Sequence, residues 1–165
     1  MNIEELNNAL KTKLNFYELK EDQDSYGNPI AWIKLKEKKD IETVARTIKA
    51  YHGRCIVATC FQNDDKTHSI IYHFDIDGLI INTQVDTDNA TIHSITSILP
   101  SANWAEREIR EMYAIEPIGH PCKDRLFLDY SIAKGVLNEY IPFSKISVGI
   151  TESDILWKKV NEGEN

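Results

Sequence analysis

The chain has 165 residues, of which 42% are hydrophobic and 27% charged, and its formal net charge is −7. A domain of this size buries about 70% of the surface that its unfolded chain exposes, so the composition indicates one folded domain and argues against a disordered chain. The acidic balance argues against a nucleic-acid partner, because such proteins normally present a basic face. Apolar stretches fall far short of the roughly 20 residues that a membrane helix needs. The first residues lack the basic-then-apolar pattern of a signal peptide, so we expect a cytoplasmic location.

The first third of the chain predicts two helices and a pair of strands. Apolar residues recur at helical spacing across residues 2–14 and predict a first helix; they are Ile3, Leu6, Leu10 and Leu14. Strands are expected at 16–20 and 30–36, on either side of a turn. A second helix is expected to begin at Asp40, a good N-cap residue, and to end at Gly53.

Three strands are expected next, at 55–62, 69–76 and 79–85. The last two are separated by Asp77-Gly78, a pair that tight hairpins favour. In the middle strand the period of two places four large apolar residues on one face, namely Ile70, Tyr72, Phe74 and Ile76. Because such a face needs cover, the sequence predicts an α+β fold with helices packed on a mostly antiparallel sheet.

A third helix is expected at about 102–113, followed by an extended C-terminal tail. Asn103 and Glu106 have the spacing of a capping box. Glu106 with Arg110, and Arg107 with Glu111, are one turn apart, as in a surface helix with ion pairs along it.

The sequence offers little for a metal ion or a nucleotide. Cys55 and Cys60 are five residues apart on one strand, so they are expected on opposite faces, and the same reasoning separates His68 from His73. The chain has three cysteines, which is too few for a four-thiolate iron–sulfur cluster. Its scattered glycines build no phosphate loop.

One alternative stays open at this point, namely an independent metal-dependent enzyme. In that hypothesis Glu108, Glu111 and His120 form a carboxylate–imidazole metal site.

The strongest pattern is a motif of several parts at residues 103–126. It reads Asn103-Trp104-Ala105-Glu106-Arg107-Glu108, then Glu111-Met112-Tyr113-Ala114-Ile115, then Gly119-His120-Pro121 and Arg125-Leu126. This motif resembles that of the 30-kDa subunit family, which includes the 30-kDa subunit of respiratory complex I and the corresponding small subunit of membrane-bound, energy-converting nickel–iron hydrogenases. The likeness extends loosely over residues 1–130 as an α+β domain. Tyr113-Ala114 departs from the Phe-Gly that is usual in the family.

The resemblance implies a cofactor-free subunit without an active site of its own. Such a subunit docks on the large catalytic subunit of an ion-translocating electron-transfer complex, at the cytoplasmic face of the membrane. Iron–sulfur clusters and a nickel–iron centre would lie in partner subunits, and antiporter-like membrane subunits would be indirect partners. The compact length and the segment 115–121 favour the hydrogenase branch, with the 30-kDa subunit of a respiratory complex I (NADH:quinone oxidoreductase) as the alternative.

Transferred to this chain, the family motif marks eleven residues as candidates for the partner interface. They are Asn103, Trp104, Glu106, Arg107, Glu108, Glu111, Tyr113, Gly119, His120, Pro121 and Arg125. Carboxylates are expected to fix the arginine side chains, and His120-Pro121 is expected to restrain the chain after the helix. Residues 131–165 are expected to form a tail that contacts the partner.

Overall fold

The computed structural model describes residues 2–138. These residues form three α-helices and seven strands, with a 3₁₀ turn at Pro100–Ala102 before the last helix. In chain order they are α1 (Ile3–Lys11), β1 (Tyr17–Gln23), β2 (Pro29–Leu35), α2 (Asp40–Ala50), β3 (Arg54–Gln62), β4 (His68–Ile76), β5 (Leu79–Thr87), β6 (Thr91–His93), α3 (Asn103–Tyr113) and β7 (Glu116–Ile118).

The main sheet has five strands in the order β1-β2-β5-β4-β3. Its pairs are antiparallel except for β2 with β5, which run parallel. Asp77 and Gly78 both have positive φ, at 50° and 86°, as the tight turn between β4 and β5 requires. The predicted α+β fold with a mostly antiparallel sheet is confirmed. A separate two-stranded sheet joins β6 to β7 in parallel and was not predicted.

The core lies on one face of the main sheet. Ile70, Tyr72, Phe74 and Ile76 of β4 are at most 1% exposed, as their spacing predicts. The core residues of α1 and α2 belong to the same cluster of buried side chains. The opposite face of the sheet carries partly exposed apolar side chains, including Trp32 and Val57, so in residues 2–138 the helices cover one side of the sheet.

Both predicted N-terminal helices exist, but their ends differ from the prediction. The first ends at Lys11, and Leu14 lies beyond it while remaining buried. Asp40 is the first helical residue of α2 and not its N-cap, which is Lys39. A carboxylate in the first turn still interacts favourably with the helix dipole.

A β-bulge in β3 overturns the prediction for Cys55 and Cys60. The register passes from Cys55 opposite Phe74 to Val57 opposite His73, so Ile56 is an extra residue. Because directly opposed residues point to the same face, Cys55 and Cys60 both point to the core side. Burial raises the pKa of each thiol to about 12.

The strand β4 contains no such irregularity, and here the prediction holds. His68 shares the buried face, where it is 6% exposed, and His73 lies on the other face between Thr59 and Asn82.

Gly53 connects α2 to β3 where the chain passes close to β4. A Cβ at this position would lie 2.6 Å from the Ile76 side chain and 2.8 Å from the Asp75 carbonyl oxygen. None of the helices in residues 2–138 is long and apolar enough to cross a membrane. Of the predicted tail, residues 139–165 lie outside the described part of the chain.

Candidate functional site

The carboxylate of Glu106 attaches α3 to Tyr72 of β4 and to residues 94–96, which follow β6. Glu106 is 1% exposed and accepts hydrogen bonds from the Tyr72 hydroxyl at 3.1 Å, the Ser94 hydroxyl at 2.5 Å, the Ile95 amide at 2.7 Å and the Thr96 hydroxyl at 2.7 Å. Burial, followed by the charge of Glu106, holds the pKa of Tyr72 well above its ordinary value, so this hydroxyl remains a donor. Four donors compensate the buried carboxylate for the water that it has lost.

This network shows that two expectations for Glu106 were wrong. The N-cap of α3 is Ala102 and makes no side-chain cap bond, so Asn103 and Glu106 form no capping box. Glu106 also makes no ion pair with Arg110, since its oxygens face Tyr72 and residues 94–96. Helical spacing places the two side chains one turn apart, but burial and stronger partners decide which groups they bind.

Two arginines of α3 bind the backbone of residues 122–128, which we call the motif loop. Arg110, 2% exposed, donates to the carbonyl oxygens of Cys122 at 3.1 Å and Asp124 at 2.9 Å. Arg107 donates to the carbonyl oxygens of Asp124 at 3.3 Å and Arg125 at 2.5 Å. The planar guanidinium has several donors in fixed positions, and here it holds a segment without regular secondary structure.

Backbone carbonyls therefore hold these arginines, where the sequence predicted carboxylates. Within residues 2–138, Arg110 forms an ion pair with one carboxylate, that of Glu116, at 3.8 Å. Arg107 forms no pair with Glu111.

Glu111 binds the backbone amides of the motif loop, whereas the two arginines bind its carbonyl oxygens. Its carboxylate accepts from the backbone amides of Leu126, of Phe127 at 2.9 Å and of Leu128 at 3.3 Å. Burial would raise the pKa of Glu111, but these three amides and the charge of Arg125 outweigh it and lower the pKa. The carboxylate is thus bound in its ionised form.

Arg125 and His120 complete the attachment of the loop. Arg125 donates to the carbonyl oxygens of Asp129 at 2.9 Å and Ile132 at 2.6 Å. His120 is buried, with Nδ1 2.6 Å from the Cys122 carbonyl oxygen and Nε2 3.3 Å from that of Asn103. Gly119 has φ +83°, in the region that favours glycine, within the turn that brings the histidine inward.

The chain then returns to the C-terminal end of α3. Gly135 and Leu137 donate backbone amides to the carbonyl oxygens of Glu111 at 2.7 Å and Met112 at 2.9 Å. The side chain of Asn138 donates to the Tyr113 carbonyl at 2.9 Å and lies 2.8 Å from Nε2 of His68. These contacts satisfy carbonyls that the end of a helix leaves without a partner. Tyr113 itself packs edge-on against His68 at 6.1 Å between ring centroids.

The motif residues thus divide into two groups. In one group the side chains make hydrogen bonds within the chain; its members are Glu106, Arg107, Glu111, His120 and Arg125. In the other group the residues are exposed, namely Trp104, Glu108 and Pro121. Trp104 is 66% exposed, a large fraction for a tryptophan.

Sequence reasoning left Arg110 out of the candidate residues, although this arginine is the most deeply buried one of the network. The concentration of three of the five arginines within residues 107–125 was the available signal. Tyr72, Ser94 and Thr96 were also missed, since nothing in their local pattern marks them as partners of a glutamate in α3.

The structure does not bring the proposed metal ligands together. Glu111 binds backbone amides, His120 lies against backbone carbonyls and Glu108 points to the surface. Across residues 2–138 no three His, Cys, Asp or Glu side chains converge to hold a metal ion.

Comparison of the sequence with known protein families identifies the family of this chain. The family described as respiratory-chain NADH dehydrogenase, 30 Kd subunit, matches residues 35–148, which include α3 and the motif loop. The chain belongs to this family. The resemblance that the motif at 103–126 indicated is confirmed.

Individual relatives come from two kinds of complex. The chain is 35% identical over 77 residues to hydrogenase-4 component G of Escherichia coli, an alignment that covers 41% of this chain and 14% of that protein. It is 34% identical over 108 residues to the C subunit of NADH-quinone oxidoreductase from Xanthobacter autotrophicus, covering 62% of this chain and 52% of that one. The chain therefore spans about half, or less, of the length of these relatives.

A solved structure supports the fold. The trypsin-resistant fragment (1-134) of Nqo5 superposes with a TM-score of 0.56 and 17% identity, covering 72% of this chain and 96% of the fragment. At that identity the likeness concerns the fold alone.

Proposed function

We propose that this chain is a cofactor-free structural subunit of a membrane-associated, ion-translocating electron-transfer complex, and that it docks on the large catalytic subunit. Catalysis, iron–sulfur clusters and any nickel–iron centre would then belong to partner subunits. The chain would lie on the cytoplasmic side of the membrane, held there by its complex.

The proposal rests on the two groups of motif residues, those that bind within the chain and those that are exposed. Arg107, Arg110 and Glu111 fix the motif loop to α3, and His120 and Arg125 bind backbone groups at its two ends, so together they give a surface a defined shape. Three aromatic rings are exposed in this region of the sequence: Trp104 on α3 (66%), Phe127 in the motif loop (59%) and Tyr130 just after it (75%). Exposed aromatic residues on a rigid support are typical of the centres of protein interfaces.

An energy-converting nickel–iron hydrogenase is the complex that we favour. The similarity to hydrogenase-4 component G supports it, as does the segment 115–121. A respiratory NADH:quinone oxidoreductase is the second candidate, supported by the longer alignment with the Xanthobacter autotrophicus relative. Both candidates assign this chain the same structural role.

Native co-purification tests the proposal. The chain is tagged at its own expression level, the membranes are solubilised gently, and the co-purifying proteins are identified by mass spectrometry. We expect a large catalytic subunit, iron–sulfur subunits and antiporter-like membrane proteins. A nickel-bearing large subunit identifies a hydrogenase, whereas a set that handles flavin and NADH identifies a respiratory complex.

Recovery of the chain alone would contradict the docking role. Elemental analysis of that material would then test the metal-dependent enzyme: a stoichiometric metal that is lost in His120→Ala would support it.

A further inference from the structure

A groove of about 250 Å³ runs between β3 and α3. One wall consists of residues 57–60 of β3 and the other of residues of α3, and Leu137 also lines the groove. Val57 and Leu137 are 40% and 55% exposed, so apolar surface borders the groove.

The position of the groove relative to the sheet shows that it follows a strand edge. Val57 and Thr59 point to one face of the sheet, whereas Ala58 and Cys60 point to the other. A groove that touches four consecutive residues from both faces must lie along the edge of their strand. In the described sheet β3 is the terminal strand, so this edge carries backbone groups that no neighbouring strand pairs.

The groove also has an electrostatic character. Glu108 contributes the one charged side chain among the residues that line it. Within residues 2–138 its carboxylate makes no hydrogen bond or ion pair, in contrast to Glu106 and Glu111 on the same helix. A lone carboxylate beside apolar walls is complementary to a basic side chain that arrives with an apolar segment.

We propose that the groove receives an extended segment of the large catalytic subunit, which pairs with the edge of β3 that no strand within residues 2–138 covers and places a lysine or arginine against Glu108. Strand addition of this kind obtains affinity from main-chain hydrogen bonds and specificity from the side-chain pocket beside the edge. The regular part of β3, residues 57–62, is long enough for such pairing, and the bulge at Ile56 ends it on one side. The inference rests on the proposed function, because that function supplies the partner.

Site-specific photo-crosslinking in the native complex tests the proposal. Benzoylphenylalanine replaces Phe61, an exposed aromatic residue of β3 next to the groove, in the full-length tagged chain. The matched control carries it at Tyr26, which is 90% exposed in the turn between β1 and β2. After irradiation, the crosslinked peptide is identified by mass spectrometry. We expect a peptide of the large subunit that contains a basic residue, and little product from the control.

A charge-reversal variant tests the role of Glu108 in the same assay. Glu108→Lys should lower the yield of the Phe61 crosslink about tenfold, because like charges then face each other. Glu21→Lys on β1, also exposed, should leave the yield unchanged. Replacing the basic residue of the crosslinked peptide by glutamate should restore the product with Glu108→Lys.

Each other outcome contradicts the inference in a recognisable way. A crosslink to residues 139–165 would show that this chain fills its own groove, and a crosslink to a second copy would show self-association. If the large subunit is recovered with the chain while the Phe61 probe gives no more product than the Tyr26 control, the docking function stands and the groove is not its site. If nothing co-purifies with the unmodified chain, the proposed function itself fails.

Discussion

Glu111 illustrates what the charged residues of the motif do at the scale of single side chains. Its carboxylate binds three consecutive amides of a loop that has no strand or helix partner for them. Arg107 and Arg110 bind carbonyl oxygens of the same loop. A few ionised side chains thus supply the hydrogen bonds that a neighbouring strand would supply in a sheet. Each hydrogen bond to a charged group contributes roughly 1.5–3 kcal/mol to stability.

Replacing Glu111 by glutamine tests this role through its pH dependence. Because the pKa of Glu111 is lowered in the folded chain, its contribution to stability is fully present above its ordinary value of 4.5 and is lost as the pH falls through the folded value. Glu111→Gln should therefore lower the free energy of unfolding by about 1–3 kcal/mol at pH 7. The difference from the wild type should shrink as the pH falls towards 3.

Urea denaturation of the full chain at several pH values measures both effects. Glu21→Gln, an exposed carboxylate change on β1, is the control and should change stability by less than about 0.5 kcal/mol. A difference between Glu111→Gln and the wild type that is independent of pH would contradict the assignment.

At the scale of elements, sequence periodicity predicted the helices and strands that bury one face against the core. Ile70, Tyr72, Phe74 and Ile76 alternate because one face of β4 is buried, and the helical spacing of Leu6 and Leu10 has the same cause. Periodicity could not reveal the bulge at Ile56, since one extra residue leaves the local composition unchanged. The partners of Glu106 and Glu111 were equally hidden, because they lie 10 to 34 residues away and several are backbone groups.

A pair of single-residue deletions in β3 tests the bulge. Deleting Ile56 removes the extra residue and leaves Cys55 and Val57 in their present register, so stability should change by no more than about 1 kcal/mol. Deleting Thr59 shifts one half of the strand by a residue and turns buried side chains outwards. The cost should exceed about 3 kcal/mol, through exposure of the core residues Cys55 and Ala58 or of Cys60.

Thermal denaturation followed by circular dichroism compares the two deletions. Equal losses of stability would mean that Ile56 holds a regular position in the strand and that the bulge is absent in solution.

At the scale of the whole molecule, most charged residues of the motif stabilise the fold, and fewer motif residues contribute to the exposed surface. Phe127 in the ordered loop, Tyr130 just after it and Trp104 on α3 all expose their aromatic rings. A family motif can therefore be strongly patterned in sequence although most of its charged groups bind within the chain and do not lie open to a partner. Only the exposed members, Trp104 and Glu108 above all, are free to touch one.

Trp104→Ser separates docking from folding. Its side chain is 66% exposed, so the free energy of unfolding should change by less than about 0.5 kcal/mol. Affinity for the partner should fall about thirtyfold, as expected when an interface tryptophan worth about 2 kcal/mol is removed. Co-purification yield at matched expression measures this loss, with Tyr26→Ser as the control for an exposed aromatic residue. Equal yields from both variants would place the interface elsewhere.

Hydrogen exchange of the full chain, read by mass spectrometry, tests the central claim most directly. The claim is that charged side chains of α3 hold the motif loop in a fixed shape that a partner then covers. We expect the amides of Leu126, Phe127 and Leu128 to exchange slowly in the wild type, at least about tenfold faster in Glu111→Gln, and more slowly again in the assembled complex. Exchange of these three amides at the rate of an unstructured peptide, unchanged by the variant and by assembly, would contradict the account.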